Sequence, residues 1–448
     1  MTADAATVRR TSLDPYEGSS WFFLLVRVHP FLVALIASGV LLRIVTIVAY
    51  QPALLFHADA YGYLRIAEDL EPSPYRPVLY PILLRLAFPL HSLLPVVVVQ
   101  HLAGLAMGIA VYALLRRLGV GSFGGAVGSA PLFVDAYQLN IEQYVLSETL
   151  FMSLMVGSFF LLSAARKPSA RAVGVAGTLL GLAGITRVTG VVLIVPVLVY
   201  LWWRKVGLAK ILWCVGGFLL PLVIYAMWFL GHWGVFAITT KGSLILYGRV
   251  SPFANCAAAE LPEYQRVLCD VRPPDERPGT EFYVWRTLNR YSPLLRLEPP
   301  PGRSEEEVLG QFARAIIVSQ PLDYARVVVG DLAHYLAPGR WEKPRDAQIE
   351  PWEFTDSFDF GPDDPEVIKV LQTTGDNLPQ VIRENRGSPE PNELFGDQPT
   401  PELEINAPLA RFLASYQAIV YTPGPLVALA ILLGIIGAAL PSPRGRRR

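Results

Sequence analysis

RAVGVAGTLLGLAGITRVTGVVLIVPVLVY, residues 171–200, is an apolar run of 30 residues whose one charge after Arg171 is Arg187. As a single helix rising about 1.5 Å per residue it would be about 45 Å long, well over the roughly 30 Å of a bilayer's hydrocarbon. A guanidinium in the middle of such a crossing is also expensive. Two shorter crossings with Arg187 at the turn satisfy both constraints, so the stretch reads as a helical hairpin within a membrane bundle.

Scanning outward for segments of comparable apolar length gives eight expected crossings: 30–50, 93–115, 121–137, 147–165, 171–186, 188–203, 211–231 and 421–440. The expected fold class is therefore an all-α polytopic membrane bundle of about eight transmembrane helices with a mixed, partly irregular extracytoplasmic domain. Composition agrees: the 448-residue chain is 52% hydrophobic with a mean hydropathy of +0.38, too apolar for an ordinary soluble protein and diluted by a polar portion. The 38 basic and 38 acidic residues cancel, which argues against a nucleic-acid partner.

Under the eight-crossing count the short basic clusters all fall on one side: Arg9 and Arg10, Arg116 and Arg117, Arg166 to Arg171, Arg204 to Lys210, and Arg444 to Arg448. Positive charge marks the cytoplasm. The expectation is a multi-pass plasma-membrane protein with both termini cytoplasmic and the first apolar run acting as an uncleaved signal anchor. The chain divides into a flexible lead (1–20), a transmembrane bundle (21–231) whose first outer loop is 51–75, an extracytoplasmic region (232–410), and a final crossing with a basic tail (411–448).

In the outer region, Cys256 and Cys269 lie where oxidation is permitted, and a disulfide between them fits better than metal ligation, since the six histidines show no ligand spacing beside the pair. EEEVLGQFARAIIVSQPLDYARVVVGDLAHYLAP reads as two amphipathic helices broken at Pro321, lying on the bundle or on the membrane surface. The acidic, proline-rich stretch 341–400 is expected to be irregular. KGSLILYGR, 241–249, reads as a short strand or a loop dipping toward the bundle.

FHADAYGYLRIAEDLEPSPYRPVLYPILLR, residues 56–85, follows the first apolar run. Asp59 is placed to accept a proton from a hydroxyl at the outer surface, with His57, Tyr61 and Tyr63 around it, whose aromatic faces suit a sugar ring and headgroup-level anchoring equally well. The competing reading is a helix cap, because Asp59 precedes AYGYLRIAEDL. Arg76 stands beside Pro77 and Pro81, which fix the entry into the next apolar segment, and suits a phosphate, with a snorkelling interfacial arginine as the alternative; Arg187 suits a phosphate or a carboxylate. Glu148 in LSETLF opens a crossing from the outer side, and it reads either as a functional acid or as an answer to the helix dipole. Lys241 and Arg249 are weaker basic candidates. Walker, dinucleotide, zinc and nucleophile-elbow motifs are absent from any supporting context.

Taken together, HADAYGYLRIAEDL, YRPVLYPILLRL, LSETLF and GLAGITRVTG resemble the GT-C membrane glycosyltransferases, in particular bacterial relatives of the dolichyl-phosphate-mannose protein mannosyltransferases, over roughly residues 30–205. That resemblance implies a catalytic acid in the first outer loop at Asp59, and substrate-binding roles for Arg76, Glu148 and Arg187. It further implies a polyprenyl-phosphate sugar donor, a glycan, lipid or protein acceptor, and an inverting displacement, with no certain cofactor. In such a site Glu148 would orient the acceptor or hold a divalent cation. Many such proteins have two adjacent acids in the first loop, whereas Ala60 follows Asp59, a departure that bears on the acceptor. A transporter or flippase of lipid-linked sugars is the alternative, and it would place its charges near mid-membrane. A membrane-anchored scaffold would leave the 56–85 segment without a purpose.

Overall fold

The computed structural model describes residues 28–55, 57–165, 167–274, 276–284, 292–339, 352–356 and 403–439. The expected N-terminal lead, most of the 341–400 stretch and the basic tail lie outside the described residues.

The described chain is mostly helical. Its membrane portion comprises α1 (Pro30–Ala49), α2 (His57–Asp69), α3 (Leu79–Arg85), α4 (Leu94–Arg117), α5 (Ser122–Val134), α6 (Ala136–Gln143), α7 (Glu148–Ser163), α8 (Ala170–Gly184), α9 (Ile194–Trp203) and α10 (Leu208–Trp233). By length and composition, α1, α4 and α10 can cross a membrane. The other expected crossings contain apolar helices of 10–17 residues, so the finer count of eight goes beyond what helix length alone establishes.

Two of the shorter helices have identifiable stops. Asp135 ends α5 and caps α6, accepting from the backbone N–H groups of Tyr137 and Gln138 at 2.9 and 3.3 Å. After α8 the chain breaks at Arg187, whose backbone is extended, and resumes as a 3-10 turn over Val188–Leu193 that leads into α9. The expected turn at Arg187 is therefore a real interruption of the helix.

α8 packs most intimately against α10 because its glycines let two backbones touch. A Cβ on Gly177 would lie 2.0 Å from the Cys214 carbonyl oxygen. Small residues at a helical interval are what membrane helices use to associate where apolar burial offers no advantage over lipid.

Beyond α10 the chain forms α11 (Gly242–Val250), α12 (Glu263–Arg266), α13 (Thr280–Val284), α14 (Glu305–Ser319), α15 (Pro321–Tyr335), α16 (Ala407–Gln417) and α17 (Gly424–Ala439). The 241–249 stretch is a helix rather than a strand or loop. Leu244, Tyr247 and Gly248 recur at helical spacing and are buried, and Tyr247 packs edge-on to Phe312 of α14. This outer core also holds Leu268, Tyr283, Val308 and Leu309, and Cys256 and Cys269 are joined in a disulfide beside it. The expected helix break at Pro321 separates α14 from α15.

A short antiparallel pair, β1 (Tyr50–Gln51) with β2 (Glu404–Ile405), ties the exit of α1 to the approach to α16.

Candidate functional site

The segment after α1 is a helix, α2, and Asp59 sits in its first turn. Asp59 forms an ion pair with Arg76, with the acid about 39% and the guanidinium 19% exposed. The Ser73 hydroxyl accepts from the backbone N–H groups of Tyr75 and Arg76, closing the Pro-bounded turn that presents Arg76. The guanidinium lies 5.7 Å from the centre of the Tyr63 ring, within cation–π range. His57 and Tyr61 stand on the same helix, but their side chains lie outside the described set.

Tyr63 connects this pair to a second one. Its hydroxyl is 2.8 Å from Ser147 Oγ, and Arg187 Nη1 donates to the same oxygen at 3.3 Å. Arg187 also forms an ion pair with Glu148 in the first turn of α7. The second Glu148 carboxylate oxygen is buried without a hydrogen-bond partner among the described residues. Burial pushes the Tyr63 phenol above its ordinary range, against the hydrogen bond with Ser147, so it stays neutral.

Asp59, Tyr63, Arg76, Ser147, Glu148 and Arg187 therefore form one cluster, its two ion pairs linked through Tyr63. Each of its ionised groups keeps part of its surface open, with Arg187 and Glu148 37% and 23% exposed. Two charge pairs reaching solvent, joined by hydroxyls, can bind an anion and accept a proton. Fully buried pairs can do neither.

Lys241 approaches from the outer region. Thr239 Oγ1 and the Thr240 N–H donate to the Pro74 carbonyl at 2.6 and 3.2 Å, which brings Lys241 Nζ to 5.5 Å from the Tyr75 ring centre. Its charge is met by Glu306 at 3.0 Å. Arg249 is instead paired with Asp331 of α15.

A second, closed network lies beneath the cluster. Arg43 of α1 donates from Nε and Nη2 to the two oxygens of Glu142 at 2.8 and 2.9 Å, and His101 Nδ1 is 2.8 Å from the same carboxylate. Arg43 and Glu142 are almost wholly buried. The carbonyls of Glu142 and Tyr144 accept from Gln100, Gln100 accepts from Tyr80, and Tyr80 packs edge-on to Tyr63. Of this network the sequence marks Glu142, in the polar run QLNIEQ at 138–143, and His101 as a polar residue inside the bundle, whereas nothing in it marks Arg43, Gln100 or Tyr80.

Residues 75–229 match the dolichyl-phosphate-mannose-protein mannosyltransferase family. The match covers a little over a third of the chain, contains Arg76, Ser147, Glu148 and Arg187, and begins after Asp59. It bears out the resemblance drawn from the sequence and implies a mannosyltransferase-like membrane glycosyltransferase that draws on a lipid-linked sugar. No curated protein and no solved structure gives a significant match. Among the described residues no group of three or more His, Cys, Asp or Glu side chains gathers as a metal site would.

Proposed function

We propose that this protein transfers a sugar from a polyprenyl-phosphate donor to the hydroxyl of an extracytoplasmic acceptor in one inverting displacement. The observation that carries the reading is the meeting of Asp59, Arg76, Glu148 and Arg187, drawn from segments up to 128 positions apart in sequence, in one partly open cluster.

In this reading Asp59 takes the acceptor hydroxyl proton while that oxygen forms a bond to the anomeric carbon. The bond from the anomeric carbon to the phosphate oxygen breaks, and its electron pair leaves with polyprenyl phosphate. The donor phosphodiester carries one negative charge and the leaving monoester two. Arg76 and Arg187 answer that extra charge, which exists only as the bond breaks, so their contribution is to rate more than to ground-state binding. Without donor, each guanidinium is met by a carboxylate, and an entering phosphate competes for the same donors. Arrival of donor would thereby release Asp59 from Arg76 to act as base. Glu148 keeps Arg187 aimed at the cluster. Lys241, paired with Glu306 and over the ring of Tyr75, the neighbour of Arg76 in sequence, is the further cation this reading assigns to the leaving phosphate.

The same proposal takes the bundle to cross the membrane eight times with both termini cytoplasmic, as the basic clusters imply. The disulfide of the outer region agrees with an oxidising compartment. Reconstituted in vesicles with labelled polyprenyl-phosphate hexose, the protein is expected to release polyprenyl phosphate and pass the label to a glycan, glycolipid or protein fraction with inverted anomeric configuration. Label that crosses the bilayer still attached to its lipid would mark a transporter instead.

A further inference from the structure

α15 is amphipathic, but with its polarity reversed. At about 100° per residue, Leu322, Val328, Val329, Leu332 and Tyr335 fall in one arc, and Asp323, Arg326, Asp331 and His334 in the opposite one. A helix on a soluble domain buries the apolar arc. Here Leu322, Val329 and Tyr335 are 71%, 64% and 78% exposed, and no residue of the helix is buried. The polar arc faces the protein at Asp331, which pairs with Arg249 of α11, while Asp323 pairs with Arg326 within the helix.

Where this face stands tells what covers it. A Cβ on Gly424, the first residue of α17, would lie 2.5 Å from the Ala337 carbonyl oxygen and 2.7 Å from that of Tyr335, so the end of α15 abuts the start of α17. α17 is apolar on every side, with Leu426, Ile431 and Ile435 all exposed. A helix apolar all round with no protein cover among the described residues is one that lipid surrounds. The exposed face of α15 therefore begins at the foot of a lipid-embedded helix and continues its apolar surface.

We propose that α15 is an interfacial helix whose Leu322–Tyr335 face rests in the lipid leaflet from which α17 starts, seated in the headgroup and upper acyl region. Through Asp331 and Arg249 it holds α11 at the membrane surface, and α11 begins immediately after Lys241. The occupant is lipid rather than a second copy, because the face is continuous with that of α17. The inference does not depend on the transfer reaction.

The test places single cysteines in the full-length protein, reconstituted in phosphatidylcholine–phosphatidylglycerol vesicles. Cys214 is buried and the other two cysteines are disulfide-bonded, so the native thiols stay unlabelled. Spin labels at Leu322→Cys, Val329→Cys and Leu332→Cys are expected to be relaxed several-fold more by dioxygen than by a water-soluble nickel chelate, with the reverse at Asp323→Cys. Equal nickel access on both faces would overturn the proposal. So would exclusion of both relaxers at Val329→Cys together with a disulfide between chains, which would show a second copy on this face.

Discussion

Arg187→Gln separates two accounts of the charge pair that it forms with Glu148. The pair is partly exposed, 37% on the arginine and 23% on the acid, so its contribution to stability is at most about 1 kcal/mol and the variant should fold. Catalysis is a different matter, because the leaving phosphate gains a full negative charge as the glycosidic bond breaks. Loss of one preorganised cationic donor at such a centre costs roughly 2–4 kcal/mol, or about 30- to 1000-fold in kcat/KM. Transfer from labelled polyprenyl-phosphate sugar by protein in vesicles reads this directly, with circular dichroism and monodispersity as folding controls. The double variant Arg187→Gln/Glu148→Gln then asks whether the loss comes from stranding Glu148. If Arg187 serves only as a partner for Glu148, the double variant recovers transfer. If Arg187 binds phosphate, it stays as slow as the single variant. A folded Arg187→Gln within about twofold of the parent, or recovery in the double variant, would refute the reasoning.

Three further outcomes follow from other parts of the molecule. Burial works against ionisation of Asp270, yet hydrogen bonds from Arg272 and Tyr283 prevail and hold its carboxyl at about 2, below the ordinary carboxylate. Its folded-state value is the lower one, so its contribution of roughly 2 kcal/mol is complete above about pH 4 and is lost as the pH falls toward 2; Asp270→Asn should remove that acid dependence from melting curves. Cys256→Ser opens a 13-residue separation and should lower the stability of the outer region by about 3 kcal/mol, read as earlier thermal unfolding without reductant. Glu142→Leu leaves Arg43 buried and uncompensated, so a loss of about 3–5 kcal/mol, seen as poor yield of folded protein, is expected, with Arg43→Met/Glu142→Leu recovering most of it.

Local sequence carried the helices well because their signal is local. Apolar length placed α1, α4 and α10 within a few residues, and the charge at Arg187 located the break after α8. The 241–249 segment misled because nine residues containing Leu, Ile and Tyr fit either period, and the choice was made by its packing on Phe312. Pairing was the part that could not be read. Arg43 stands alone in an apolar run and Glu142 lies 99 positions later, so neither announces the other. Ser147 is an unremarkable serine until Tyr63 and Arg187 meet at its hydroxyl. Arg249 is a basic candidate by residue type alone, and its partner Asp331 lies 82 positions later, beyond the reach of any local signal.

The central claim is that Asp59 removes the acceptor proton. Asp59→Asn keeps the size of the side chain and its capacity to accept from Arg76 while abolishing its basicity. Measured as transfer of labelled sugar from polyprenyl phosphate by protein in vesicles, the variant is predicted to bind donor normally and to lose about 100- to 10,000-fold in kcat, the range of general-base catalysis. Full transfer by a folded Asp59→Asn protein would contradict the account.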